Sequence, residues 1–134
     1  MQSSTQFATE SKGMLWTGRI LSGLMALLFI SDGVGHVMKP APVVEAFARL
    51  GYPLSASVGI GVLALICTAI YVTPRTSVLG AILLTGYMGG AVSTHVRAGS
   101  TLFETIFPVI LGVLVWVGIY VRNAELRQLI PVRR

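Results

Sequence analysis

The sequence predicts an all-α protein, an integral membrane four-helix bundle with a short interfacial helix between spans 1 and 2. Three observations carry that prediction. The chain is 54% hydrophobic and only 11% charged, with a mean hydropathy of +0.78, whereas a soluble domain carries about 25% charged residues. Four apolar runs follow one another along the sequence. The polar connections between them are short: four spans of about 20 residues use roughly 80 positions, so 134 residues hold one domain and no second one.

Residues 1–13 (MQSSTQFATESKG) are polar and lack an apolar period, which predicts a flexible tail. The membrane domain is expected over 14–123, with spans at about 15–36, 54–72, 77–95 and 102–121, followed by a basic tail over 124–134. Trp16 suits the interface at the start of span 1, and Arg19 can extend back to the headgroups. About fourteen mostly polar residues precede this run and no small-x-small site follows Ile30, so it is expected to be retained as a span and not cleaved as a signal peptide.

Residues 42–50 read as a short surface helix. Pro42 fits a first turn and Gly51 the position just past the end. Val43, Val44, Phe47 and Leu50 recur at helical spacing, with Glu45 and Arg49 as an i,i+4 pair on another face. Span 2 ends at the Pro74-Arg75 turn. Span 3 carries Gly86, Gly90 and Thr94, a small-residue stripe expected to admit a neighbouring helix. In span 2, Gly59-Ile60-Gly61 lies among apolar residues and reads as helix packing, not as a phosphate loop. Pro108 is expected to bend span 4. The segment NAELRQLIPVRR reads as a last interfacial turn with Leu126, Leu129 and Ile130 inward.

Charge sets the orientation. Lys12, Arg19, Arg75, Arg122, Arg127, Arg133 and Arg134 share one side, and Lys39, Arg49 and Arg97 the other. Seven against three predicts both termini in the cytoplasm. The basic residues stand singly between apolar runs or at the C-terminus, a pattern that speaks against nucleic acid as a partner. Cys67 is the only cysteine, which excludes an intrachain disulfide and a CxxC pair.

Five ionisable residues fall near the outer ends of the spans: Asp32, His36, His95, Arg97 and Glu104. Asp32 and His36 share a helix face, and the short connection between spans 3 and 4 places His95 and Arg97 near Glu104. Ionisable groups inside spans are costly and mark candidate binding or proton-handling sites. Each also has a structural reading. Thr101-Leu102-Phe103-Glu104 is a capping box, Arg97 complements a helix C-terminus, and Asp32, His36 and His95 can serve as hydrogen-bonding partners alone. Two histidines at similar depth could ligate haem, but nothing else marks a haem pocket. A zinc site would have only Asp32 or Glu104 to complete it. No metal site is expected, and no phosphate loop, HExxH or G-x-S-x-G occurs.

Ser31-Asp32-Gly33-Val34-Gly35-His36, the following Lys39-Pro40 and VVEAFARLGYP, then YVTPRTSVLGAILLTGYMGGAVSTHVRAGSTLF and FPVILGVLVWVGIYVR together resemble the DoxX-like family of small four-helix bacterial membrane proteins. The resemblance covers about residues 15–123, with LGYP and GGAVSTHVRAG its most specific pieces. It implies residence in the bacterial inner membrane and, through the wider DoxX group, association with quinone-linked or thiol-handling redox enzymes. It supplies no catalytic residue set. The expectation is therefore an accessory or binding subunit for a membrane redox system, or for a lipophilic small molecule such as a quinone, without a resident cofactor. The rivals are a quinone-linked oxidoreductase subunit with proton transfer by His95 or Asp32/His36, and a small transporter. Against transport, spans 2 to 4 carry no charge at their centres. The lipid bilayer, a redox enzyme and a second copy through Gly86 and Gly90 are the expected partners.

Overall fold

The structure is a computed structural model that describes the backbone of residues 2–129 and the side chains of residues 12–128. The described residues form six helices and no strand: α1 (Gln2–Met38), α2 (Ala41–Leu50), α3 (Ala56–Val72), α4 (Ser77–Ala98), α5 (Leu102–Arg122) and α6 (Ala124–Leu129). Three of them, Lys12–Met38 within α1, α4 and α5, are long and apolar enough to cross a membrane, and α3 is a shorter apolar helix. Helix α1 takes in residues for which the sequence predicts a loose tail, since neither proline nor glycine interrupts 2–12. Ile130, Pro131, Arg133 and Arg134 lie outside the described residues.

Prolines decide where two of the helices stop, and hydroxyl groups answer the carbonyls that those prolines orphan. Lys39 leaves α1 in a left-handed conformation (φ 53°), immediately before Pro40. Pro40 has no N–H to offer the His36 carbonyl four residues back. The buried Ser57 hydroxyl of α3 donates to that carbonyl instead, at 2.6 Å. At the end of α3, Pro74 likewise cannot serve the Ile70 carbonyl, and Thr76 Oγ1 donates to it at 2.8 Å. Helix α2 ends as its sequence predicts, with Gly51 at φ 74° and the Tyr52 N–H returning to the Phe47 carbonyl. Helix α5 starts on the complete capping box of Thr101 and Glu104, and it runs on through Pro108. Asn123 Oδ1 accepts from the Leu126 N–H at the start of α6, and Leu126 is buried.

Helix α1 packs beside α3 and α5, and α4 packs beside the same two, so α1 and α4 face each other diagonally. Helix α2 lies against α4, and α6 against α5. The core runs through Phe29, Cys67, Tyr71, Leu84, Val115 and Ile119. Tyr71 is fully buried, and its hydroxyl bridges Val115 O of α5 (3.0 Å) and Ser22 Oγ of α1 (3.1 Å). Arg122 closes the same place, donating to Tyr71 O at 3.4 Å and lying over the ring.

Close helix approach uses different glycines from those the sequence suggests. Among the described residues, a Cβ on Gly86 or Gly90 would meet nothing within 4 Å, so no described helix packs closely on them. The buried face of α4 is Ser77, Gly80, Ala81, Leu84 and Met88, and Gly86 and Gly90 point away from it. Spacing reveals a stripe of small residues but not the direction it faces. The tightest contacts are at Gly80, where a Cβ would strike the Tyr71 backbone, and at Gly61, where it would strike the Gly33 carbonyl, with Gly18, Gly33 and Gly118 also close to neighbouring helices; the packing role expected of the Gly59–Gly61 stretch falls to Gly61. On α2, Val44 is exposed instead of inward.

Tyr71→Phe is expected to lower stability by about 1 kcal/mol, the typical net worth of one such hydrogen bond. Gly80→Ala is expected to cost more, because α3 and α4 must separate to admit the methyl. Gly86→Ala enters open space and should be neutral or slightly stabilising. Unfolding by SDS titration in mixed micelles measures all three, and equal midpoints for Gly80→Ala and Gly86→Ala would contradict the packing described.

Candidate functional site

The five ionisable residues singled out in the sequence separate into two groups at the same end of the molecule. In the first, Asp32 of α1 receives a hydrogen bond at Oδ2 from the Tyr87 hydroxyl of α4, at 3.0 Å. This bond crosses the interior between the two diagonal helices. His36, one turn on from Asp32, directs Nδ1 at the Asp32 backbone carbonyl at 2.8 Å, with the Asp32 carboxylate 3.6 Å away. A carbonyl only accepts, so Nδ1 carries the proton and Nε2 of the neutral ring is left as an acceptor. The side chain of Asp32 is 40% exposed and that of His36 19%. The carboxylate is thus partly open to the outside and partly held by the bundle.

Backbone contacts fix this corner. Gly33 lies against Leu65 and the Gly61 carbonyl of α3, which brings α1 and α3 together directly below Asp32 and His36. The Ser57 bond to the His36 carbonyl ties down the same turn. Tyr87 is the residue that sequence reasoning missed. A tyrosine hydroxyl within an apolar helix needs a polar partner, and that was the available signal. Nothing local identifies the partner, which is 55 residues away.

The second group fastens α2 over the end of the bundle. Arg97 donates to the Leu50 carbonyl at 3.1 Å and sets its guanidinium over the Tyr52 ring at 5.4 Å. Tyr52 shares a hydrogen bond with Thr94 at 3.1 Å. Glu104 receives Arg49 at 3.0 Å, so Arg49 pairs with α5 and not with Glu45 as its helical spacing suggests. Glu104 is therefore both cap and ion-pair partner; His95 stands close enough to act on it electrostatically, as the short connection predicts, while Arg97 is engaged with α2. His95 turns to Ser100 Oγ at 2.9 Å, within the α4–α5 connection. The two groups meet at Phe47 of α2, whose ring is edge-on to His36 (5.5 Å) and to Tyr52 (6.0 Å).

The chemistry open to this end is that of a carboxylate, a tyrosine hydroxyl and an imidazole: accepting hydrogen bonds, donating them and exchanging protons. Cys67, the one thiol, is buried in the core. Among the described residues, no three His, Cys, Asp or Glu side chains group closely enough to hold a metal ion. One cavity does not adjoin Asp32. It is an apolar groove of about 650 Å³ on the outward face of α4 and α5.

No curated protein and no solved structure matches the chain. The model of the DoxX-like family matches residues 20–118, a stretch that contains Asp32, His36, Tyr87, His95, Arg97 and Glu104 together with the close-approach glycines Gly33, Gly61 and Gly80. That match covers most of the sequence, with all of α4 and most of the other two helices long enough to cross a membrane, and on it this membrane protein belongs to the DoxX-like family.

Proposed function

We propose that the chain spans the bacterial inner membrane four times, through α1, α3, α4 and α5, with both termini cytoplasmic. It serves there as a non-catalytic binding or accessory subunit of a membrane redox system. Its outer corner of Asp32, Tyr87 and His36 holds the polar head of a lipophilic molecule such as a quinone. The observation that supports this most is the Tyr87–Asp32 hydrogen bond. Keeping a carboxylate inside an apolar bundle is costly, and such groups mark sites of function by default.

Two features support the topology. Helix α3 has 17 residues, the short end of the range of about 17–25 that crosses a bilayer, and it packs between two longer helices, α1 and α4. Charge is the second. By sequence position, the end with the termini and the Pro74-Arg75 turn carries seven Lys and Arg residues, and the other end three. Such an excess of Lys and Arg supports a cytoplasmic placement of the first end.

A second reading, a quinone-linked oxidoreductase subunit, uses the same corner. Its support is the free Nε2 of His36, which can accept a proton while Nδ1 stays on the Asp32 carbonyl. His95 suits that role less, because its described bond stays within its own hairpin.

In a Cys67→Ala background, a cysteine at Lys39 is expected to react with impermeant thiol reagents in intact cells, while cysteines at Ser3 and Arg134 are expected to be shielded. The opposite pattern would reverse the topology. Purification from native membranes with mass spectrometry of bound lipids and proteins tests the binding role. Asp32→Asn and Tyr87→Phe should insert normally yet lose most of the co-purifying lipophile or redox partner. His95→Gln should retain both with a modest loss of thermal stability. Quinone turnover by the pure protein, lost in Asp32→Asn, would favour the enzyme; full retention by both corner variants would remove the corner from function.

A further inference from the structure

The groove on the outward face of α4 and α5 belongs to neither group of polar residues. On α5 its lining runs from Pro108 to Tyr120. Twelve residues of helix rise about 18 Å, close to one leaflet of a hydrocarbon core roughly 30 Å thick. The walls are apolar, and at Gly89 and Gly112, one on each helix, a Cβ would meet nothing within 4 Å. The space is therefore an open channel and not a close helix contact. One polar feature breaks the wall: the Trp116 indole N–H donates to Thr85 Oγ1 at 2.7 Å, while Thr85 itself donates to the Ala81 carbonyl at 2.7 Å. Both groups are satisfied by the protein and ask nothing of an occupant, which can be pure hydrocarbon.

The two ends of the groove differ. At Pro108 and Val92 it stops inside the apolar part of both helices. At Tyr120 it reaches the basic end of the molecule, where Arg75 stands exposed in the α3–α4 turn, while Arg122 and Arg127 are turned to the Tyr71 and Val121 carbonyls. We infer that the α4–α5 groove is a binding site for one acyl chain of an anionic phospholipid of the leaflet at this basic end. The chain lies along Gly89 and Gly112, and the phosphate headgroup stands at the level of Tyr120, at the end where Arg75 is exposed. The occupant follows from the surroundings. A groove open to hydrocarbon along one leaflet is filled from that leaflet, and the excess of basic residues at this end, with Arg75 exposed, favours negatively charged headgroups. The inference rests on the membrane-spanning reading and is independent of the Asp32 corner.

Trp116 reports on the site directly. With Trp16→Phe, it is the one remaining tryptophan of the two in the chain. The full-length protein is reconstituted in vesicles containing phosphatidylglycerol or phosphatidylcholine with brominated acyl chains, which quench tryptophan on contact. Brominated phosphatidylglycerol is expected to reach half-maximal quenching at a mole fraction at least two-fold lower than brominated phosphatidylcholine. High salt should shrink that preference, since it screens the arginines, and leave quenching itself in place. Gly112→Leu, which fills the groove from α5, should weaken quenching and remove the preference, and Gly89→Leu should do the same from α4. Equal quenching by the two lipids in the parent, or a preference untouched by both leucines, overturns the inference. So does quenching that falls as protein density rises while Val113→Cys copies cross-link, which would place a second copy in the groove. Absence of quenching by either lipid would instead overturn the spanning reading, so the two failures are distinguishable.

Discussion

The hydroxyl of Tyr71 is a polar atom in the middle of an apolar bundle, and much of the architecture follows from satisfying it. It bridges Ser22 of α1 and the Val115 carbonyl of α5, while Gly80 of α4 lies directly on the Tyr71 backbone. All four long helices therefore meet at one residue. Van der Waals packing and interhelical hydrogen bonds, and not apolar attraction, hold helices together where the solvent is hydrocarbon. A fully buried tyrosine with its hydroxyl bonded supplies both. Gly118, whose Cβ would crowd Ser22 and the tyrosine hydroxyl, admits the ring from the α5 side.

That junction is towards the basic end, and it explains the different character of the other end. Beyond Phe29 the large buried side chains thin out to Met88 and Phe47, and polar contacts join them: Tyr87 to Asp32, Ser57 to the His36 carbonyl, Arg97 to the Leu50 carbonyl and Arg49 to Glu104. The short connections at the basic end leave no cover there comparable to α2. At the opposite end, the longer connection between α1 and α3 has room to form an amphipathic helix that lies on the bundle. Pro40 and the left-handed Lys39 make the turn that allows this.

Local chemistry was legible in the sequence, and tertiary partners were not. The capping box at Thr101 and the glycine stop at Gly51 are set by residues within one turn, so reading along the chain finds them. The helices themselves were legible because four apolar runs are separated by turn residues. The Tyr87–Asp32 bond joins residues 55 apart on helices that are not sequence neighbours, and no periodicity encodes it. Arg97 and Glu104 show the intermediate case. Each has the local helix-end role that its position suggests, and each gains a second partner on α2 that only the docking of α2 decides. Gly86 and Gly90 receive no described helix of the same chain because the packing face of α4 is set by Tyr71 against Gly80, a contact invisible from the stripe itself.

The contrast between the two ends bears on where binding can occur. Exposed ion pairs are worth about 0–1 kcal/mol, and the Arg49–Glu104 bridge is of that kind, with the arginine side chain 61% exposed. The fastenings of α2 can be exchanged for contacts with a ligand at small cost, whereas the Tyr71 junction cannot be disturbed without separating helices. A polar headgroup arriving at the Asp32 corner would compete with single hydrogen bonds to Asp32 and His36, and with one aromatic edge from Phe47. The carboxylate there is already desolvated in part and already paired with a neutral donor. A ligand that offers its own donor can therefore replace Tyr87 at Asp32 without leaving a buried charge unpaired, a condition that the core around Tyr71 could not meet.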